Sequence, residues 1–227
     1  NYETSFVLDA ALAWAGATNG GFDPAIARVV DLWDVKHKRT PPVERDVQRL
    51  AGRQLYRQLD VDASRATPSI LVREADAAID LGGIAAGYGV DRAAVVLREW
   101  GITSGFINVG GDIYALGYDP SGEPWRVGIQ SPDNSEKLLT TVPLADAAIA
   151  TSGDYEQGYN YRGRRYHHII DPSRAEPRIS TLHTVTVVAD RCIDADAAST
   201  AVFGLQLDDA NRLLALRAPS SRIVSIA

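Results

Sequence analysis

Helical periodicity dominates residues 1–60 of this chain, and strand texture dominates most of the chain beyond Ser69. Apolar positions at Phe6, Leu8, Leu12 and Ala15 predict a helix over residues 5–17. "TNGGFDP" reads as its stop, and Asp23-Pro24 opens a second helix through "AIARVVDLWDV". The Pro-rich entry of "TPPVERDVQRLAGRQL" predicts a third. Beyond Ser69, "SILVREADAAIDLGG" predicts two short strands, and "AAGYGVDRAAVVLREWG" a helix with Val90, Ala94 and Leu97 on its apolar side. "SGFINVGGDIYALGY" reads as strand, Gly-Gly turn, strand. "WRVGIQS", "TTVPLADAAIATSGDYE", "YNYRGRRYHHIID" and "HTVTVVAD" continue the β texture, before helices at "IDADAASTAVFGLQ" and "DDANRLLALR". No linker, repeat or low-complexity segment interrupts this. The pattern predicts an α+β class: a single domain over 1–227, helices packed on a mostly antiparallel sheet.

Composition narrows the partners. A net charge of −6 leaves no excess of Lys and Arg to neutralise phosphates, so no nucleic-acid partner is expected. The basic run "RGRRYHH" (162–168) reads as a solvated hairpin. One cysteine, Cys192, excludes an internal disulfide framework and a cysteine-rich zinc site. No run of about 18 apolar residues is present to span a membrane. The chain begins without Met, contains none, and opens at "NYETSFVLDAALAWAG", which reads like the middle of a helix. We therefore expect a processed or truncated chain, and a missing leader is uninformative about location.

Four stretches concentrate groups that can carry chemistry. "DLGGIAAGYGVD" (80–91) places glycines at 82, 83, 87 and 89 where a strand gives way to a helix. Backbone groups there can approach a phosphate at the helix N-terminus; close packing of the helix on the sheet is the other reading. The spacing fits neither a dinucleotide fingerprint nor a P-loop. In "ADAAST" (195–200), Asp196 and Thr200 stand at i and i+4 and project oxygens from one helix face, a set suited to Mg²⁺. Alternatively, Asp196 complements the helix dipole and Thr200 bonds back to a carbonyl. In "YHHIIDP" (166–172) adjacent strand residues face opposite ways, so at most one of His167 and His168 points at any given site. In "IATSGDY" (149–155), Thr151, Ser152 and Gly153 are expected to leave the strand and present hydroxyls and amides in a turn, for phosphate or ribose oxygens or simply as a turn cap. No G-x-S-x-G, HExxH or CxxC occurs.

The order of the pieces says more than any one of them. "FDP…DLW" (22–33), "DLGGIAAGYGVDRAA" (80–94), "NVGGDIYALG" (108–117), "WRVGIQ" (125–130), "IATSGDYE" (149–156), "HHIIDP" (167–172) and "VTVVA…ADAASTAVF" (185–203) come one after another in register. That order resembles the ApbE-like FAD:protein FMN transferase family over about residues 5–210. The resemblance implies an ApbE-like, T-fold-related fold with the N-terminal part of the family domain missing. It implies FAD as substrate with Mg²⁺, cleavage of the pyrophosphate, transfer of FMN through a phosphoester to a threonine of an acceptor protein, and release of AMP. By the same resemblance Asp196, Thr200 and the Gly83 carbonyl hold the metal, and His168 helps deprotonate the acceptor. Asp80, Ala86, Thr151, Ser152, Gly153 and Ile170 match cofactor-binding positions. The acceptor would be a flavoprotein subunit of a redox complex, in the periplasm or at the outer face of the bacterial inner membrane. Any membrane association would run through a segment outside this chain.

Mg²⁺ would act as Lewis acid and template while a positioned base activates the hydroxyl, so no covalent enzyme nucleophile is needed. Two departures stand out: Ala86 occupies a position where the family commonly has Lys, and "SSRIVSIA" stops short of the family's final strand. An FAD pyrophosphatase, or an FAD-binding protein with weak catalysis, are the alternatives these departures suggest.

Overall fold

The first helix begins where Asn1 accepts the Thr4 N–H on its side-chain oxygen at 2.8 Å, and it ends where Asn19 and Gly20 turn to positive φ (49° and 85°). The computed structural model describes residues 1–62, 68–134 and 136–227. In chain order come α1 (Tyr2–Ala17), α2 (Ala27–Trp33), α3 (Glu44–Leu50), β1 (Leu59–Asp62) and β2 (Ser69–Val72). Next are α4 (Ala85–Glu99), β3 (Gly105–Val109), β4 (Asp112–Leu116), β5 (Trp125–Gln130), β6 (Leu138–Leu144) and β7 (Ala147–Gly153). The chain continues through β8 (Gly158–Tyr161), β9 (Arg164–His167), β10 (Ile170–Asp171), β11 (Glu176–Pro177) and β12 (Thr184–Ala189), then α5 (Cys192–Val202), α6 (Leu207–Arg217) and β13 (Arg222–Ile226). Strand pairings within the named sheets are antiparallel, so the α+β class read from the sequence holds. Among the described residues no helix is long and apolar enough to cross a membrane. These residues group into two compact units, 1–81 with 154–179, and 82–153 with 180–227.

Two apolar clusters stand out among the described residues of the first unit. Leu8 of α1 packs with Ala25, Leu55, Leu59 and Ala77. Trp33, Tyr159, Tyr166 and Ile170 belong to the other, where Tyr166 stacks on both Trp33 and Tyr159 at 5.3 Å between ring centroids. The hairpin β8–β9 reverses at Arg162-Gly163, both with positive φ (49° and 80°), as a two-residue turn demands.

The second unit is layered. Its sheet runs β13-β12-β7-β4-β3. Tyr114 and Leu116 of β4, with Ala148 and Ala150 of β7, pack with Val90, Ala94, Cys192 and Ala195 of α4 and α5. The intervening Ala115 and Ile149 face the other way, onto Val127, Ile129, Val142 and Leu144 of the β5–β6 hairpin. The period-two alternation of each strand thus sorts side chains between helices and hairpin.

Several sequence expectations change. The third helix stops at Leu50, because the chain turns extended at Ala51 and Gly52 donates its N–H to the Pro172 carbonyl at 3.1 Å. Of the two strands expected in residues 69–83, only β2 forms, paired with β1. The second makes a lone parallel bridge, Ala78 to Ile26, since the segment beside it is about to enter α2. Thr151, Ser152 and Gly153 do not leave the strand: they end β7, opposite Thr186, Val185 and Thr184 of β12. Beyond the last helix read from the sequence, Arg222–Ile226 adds a strand along the other edge of β12.

Part of the glycine-rich stretch is accounted for by packing. A Cβ at Gly87 would lie 2.3 Å from the Cys192 carbonyl oxygen and 2.8 Å from Asp196 Cβ, whereas nothing lies within 4 Å of one at Gly89. Gly87→Ala is therefore expected to destabilise the protein by about 1–3 kcal/mol, several degrees in Tm, through overpacking between α4 and α5. Gly89→Ala should leave Tm unchanged or raise it, since Ala favours helix by about 1 kcal/mol. Equal melting shifts in the two variants would contradict this contact.

Candidate active site

Helix α5 starts without a side-chain cap from its own flank. Its first amides are satisfied from α4 instead: Asp91 accepts the Cys192 N–H at 2.7 Å and the Ile193 N–H at 3.0 Å. One turn earlier on α4, the Gly87 N–H donates to Asp196 Oδ2 at 3.0 Å. A glycine is needed there because only without a Cβ do the two helices come this close. Asp196 is thereby fixed in a nearly closed environment, 6% exposed. Burial pushes its carboxyl up to about 6, against the pull of hydrogen bonds from Gly87 and from the Asp112 side chain.

Asp112 is the residue that sequence reasoning did not assign. It lies at the start of β4, directly after the Gly-Gly turn, and its carboxyl group meets that of Asp196. The signal was present in "NVGGDIYALG", but only the fold shows that this Asp reaches α5. Thr200 sits one turn beyond Asp196. Its hydroxyl is 3.1 Å from Ser152 Oγ, which also pairs with Ser199 Oγ at 2.8 Å. Ser199 in turn donates to the Asp196 carbonyl at 3.0 Å. Thr151 points elsewhere, pairing across the sheet with Thr186 at 2.9 Å. Gly83 is half-buried in the turn before α4, and Ala86 is half-buried in its first turn.

The donors gathered around α5 are oxygens: two carboxylates and a hydroxyl. Among the described residues no three His, Cys, Asp or Glu side chains form a metal-binding cluster. A buried carboxyl held well above its usual range, beside a second carboxyl, is what a hard divalent cation would relieve, so these residues fit Mg²⁺. Cys192 offers no competing soft ligand: burial, together with Asp112, Asp91 and Asp196, pushes its thiol far up.

The first unit carries the remaining expected residues. Asp80 is half-buried, its N–H bonded to the Pro24 carbonyl at 2.8 Å. The two histidines, which strand alternation alone does not tell apart, separate clearly. His167 is 3% exposed; its Nδ1 accepts the Ile169 N–H at 3.3 Å, so its Nε2 is the protonated nitrogen and donates to the Arg178 carbonyl at 2.7 Å. Burial lowers its pKa to about 4, and its part is structural. His168 lies just beyond β9, its backbone N–H on the Gln157 carbonyl at 3.2 Å and its Nδ1 only 3.5 Å from that oxygen. Burial depresses its pKa too, which keeps the ring neutral and able to accept a proton. Ile170, 6% exposed in β10, packs in the aromatic core and shares a pocket wall with His168.

The profile of the ApbE family matches residues 1–223. The chain belongs to the ApbE family. Among similar ApbE relatives, the FAD:protein FMN transferase of Treponema pallidum (strain Nichols) is 32% identical over 222 residues, covering 92% of this chain and 61% of that protein. The enzyme of that name from Klebsiella pneumoniae (strain 342) is 31% identical over 205 residues, covering 89% and 62%. This chain thus spans about three-fifths of the length of those relatives. The crystal structure of the ApbE protein from Thermotoga maritima superposes with a TM-score of 0.87 at 30% identity, covering 100% of this chain and 75% of that one. The flavin transferase ApbE from Vibrio cholerae gives 0.80 at 27%, covering 95% and 69%.

The state of Asp196 is testable through stability. A carboxyl whose pKa rises from 3.8 to about 6 on folding supports the fold while protonated and loses that support as pH rises through about 4 to 6. Without divalent cations the loss should be on the order of 3 kcal/mol, and Asp196→Asn should abolish it. Urea midpoints across that pH range, with EDTA present, measure the difference. Parallel pH curves for the two proteins would remove Asp196 as its source.

Proposed function

We propose that this chain carries out Mg²⁺-dependent FAD:protein FMN transfer: FAD is cleaved at its pyrophosphate, FMN becomes esterified to an acceptor threonine, and AMP leaves. The observation that carries this reading is the oxygen-donor set on α5, where Asp196 is fixed by Gly87 and met by Asp112, with Thr200 tied to Ser152. The FMN-transferase identity of relatives that share about 30% of their residues with it supports the reading. Asp196, Thr200 and the Gly83 carbonyl would hold the cation, which when bound supplies Lewis-acid stabilisation of the departing phosphate oxygen. Asp80, Ala86, Ser152 and Gly153 would bind and orient FAD.

The bond changes balance without a covalent enzyme intermediate. The threonine oxygen bonds to the FMN phosphorus, the bond from that phosphorus to the AMP oxygen breaks, and the hydroxyl proton passes to neutral His168. The acceptor is a protein, by this reading a flavoprotein subunit of a redox complex on the periplasmic side of the bacterial membrane.

Incubating the whole protein with FAD, Mg²⁺ and a threonine acceptor should give an FMN-sized mass gain on the acceptor and an equal yield of AMP. Asp196→Ala and Thr200→Ala are expected to lower turnover about 10²-fold or more while FAD affinity changes less. His168→Ala should cost about 10²–10⁴-fold. Because burial holds His168 below its ordinary 6.5, the acid limb of the wild-type pH–rate profile should lie below that value. Undiminished transfer by the Asp196 and Thr200 variants would refute the metal assignment. AMP formed without any acceptor would mark water as the nucleophile.

A further inference from the structure

His168 opens on a pocket of about 130 Å³ within the first unit. Val30 and Trp33 of α2, Val35 just after it and Ile170 of β10 form apolar walls, with Gln157 beside the histidine. Asp31, Asp34 and Lys36 complete the lining, and Asp34 is engaged by His37 Nδ1 at 2.7 Å. Charged groups thus surround an apolar interior, the form of a site that takes one apolar group from water.

Size and chemistry narrow the occupant. An apolar cavity of about 150 Å³ holds one benzene, so this pocket takes one side chain and not a three-ring isoalloxazine. In an in-line displacement the base stands at the attacking oxygen, opposite the leaving group. A pocket shared with the base therefore belongs to the side of the hydroxyl donor, not to the adenine that departs with AMP. We propose that this pocket is a specificity site for the acceptor polypeptide, receiving an apolar side chain within two residues of the modified threonine. The assignment rests on the flavin-transfer reading and on His168 as its base, and it adds what that base's neighbours recognise.

The test uses the whole protein, FAD, Mg²⁺ and pooled threonine peptides randomised at two residues on either side. Wild type should favour an aliphatic or aromatic side chain at one flanking position over Gly or Asp by about 10–10²-fold in kcat/KM. Val30→Phe, which fills the pocket, should raise the peptide KM about tenfold and flatten that preference, with FAD affinity within about twofold of wild type. Val30→Ala, which enlarges it, should shift the preference toward bulkier side chains and keeps the test informative if the larger residue impairs folding. Unchanged peptide preference in both variants would overturn the assignment. So would a loss of FAD or AMP affinity in step with the loss of transfer, which would make this a nucleotide subsite. A wild-type protein that modifies no peptide overturns the flavin-transfer reading itself and this assignment with it.

Discussion

Two contacts one helical turn apart bind α4 to α5, and the oxygen-donor site depends on both. Asp91 receives the first amides of α5, and the Gly87 amide holds Asp196. The first fixes where α5 begins, and with it the facing of Asp196 and Thr200. The second fixes the carboxylate itself and requires a backbone approach that any Cβ would block. Ser152, at the end of β7, completes the clasp from the sheet side through Ser199 and Thr200. The small residues Ala148, Ala150, Ala189 and Ala195 behind this site serve the same end, allowing helices and sheet to meet closely.

That closeness also sets the electrostatics. A carboxyl at 6% exposure loses hydration and titrates high, against the pull of hydrogen bonds from the Gly87 amide and the Asp112 side chain. Such an arrangement is costly for an apo protein and favourable to one carrying a divalent cation. In the first unit burial acts in the opposite sense on histidine. It keeps His168 neutral, while the backbone locks His167 at both ring nitrogens. One desolvation effect therefore produces a poised carboxyl in one unit and a neutral imidazole in the other.

Much of this was legible in the residues. The long helices, the β3–β4 hairpin and the Arg162-Gly163 turn obey local rules of period, cap and turn, and the structure keeps them. What was misread depended on distant partners. Residues 151–153 resemble a turn composition but stay extended because β12 pairs with them. Residues 51–54 continue a helical pattern but are diverted where Gly52 bonds to Pro172. The glycines near residue 85 suggested phosphate or packing equally well, and for Gly87 the partner is the protein's own helix.

By itself, then, the sequence determined the class of fold, the order of its motifs and the chemical types available: an Asp and a Thr one turn apart, two histidines, hydroxyls after an apolar strand. Those properties are local, written in periods of 2 and 3.6 and in the side chains themselves. Only tertiary structure decided which histidine is locked, that Asp112 meets Asp196, and that Asp91 caps a helix about a hundred residues downstream. Each of these is a contact between segments far apart in the chain, where desolvation and shape depend on what the other segment brings.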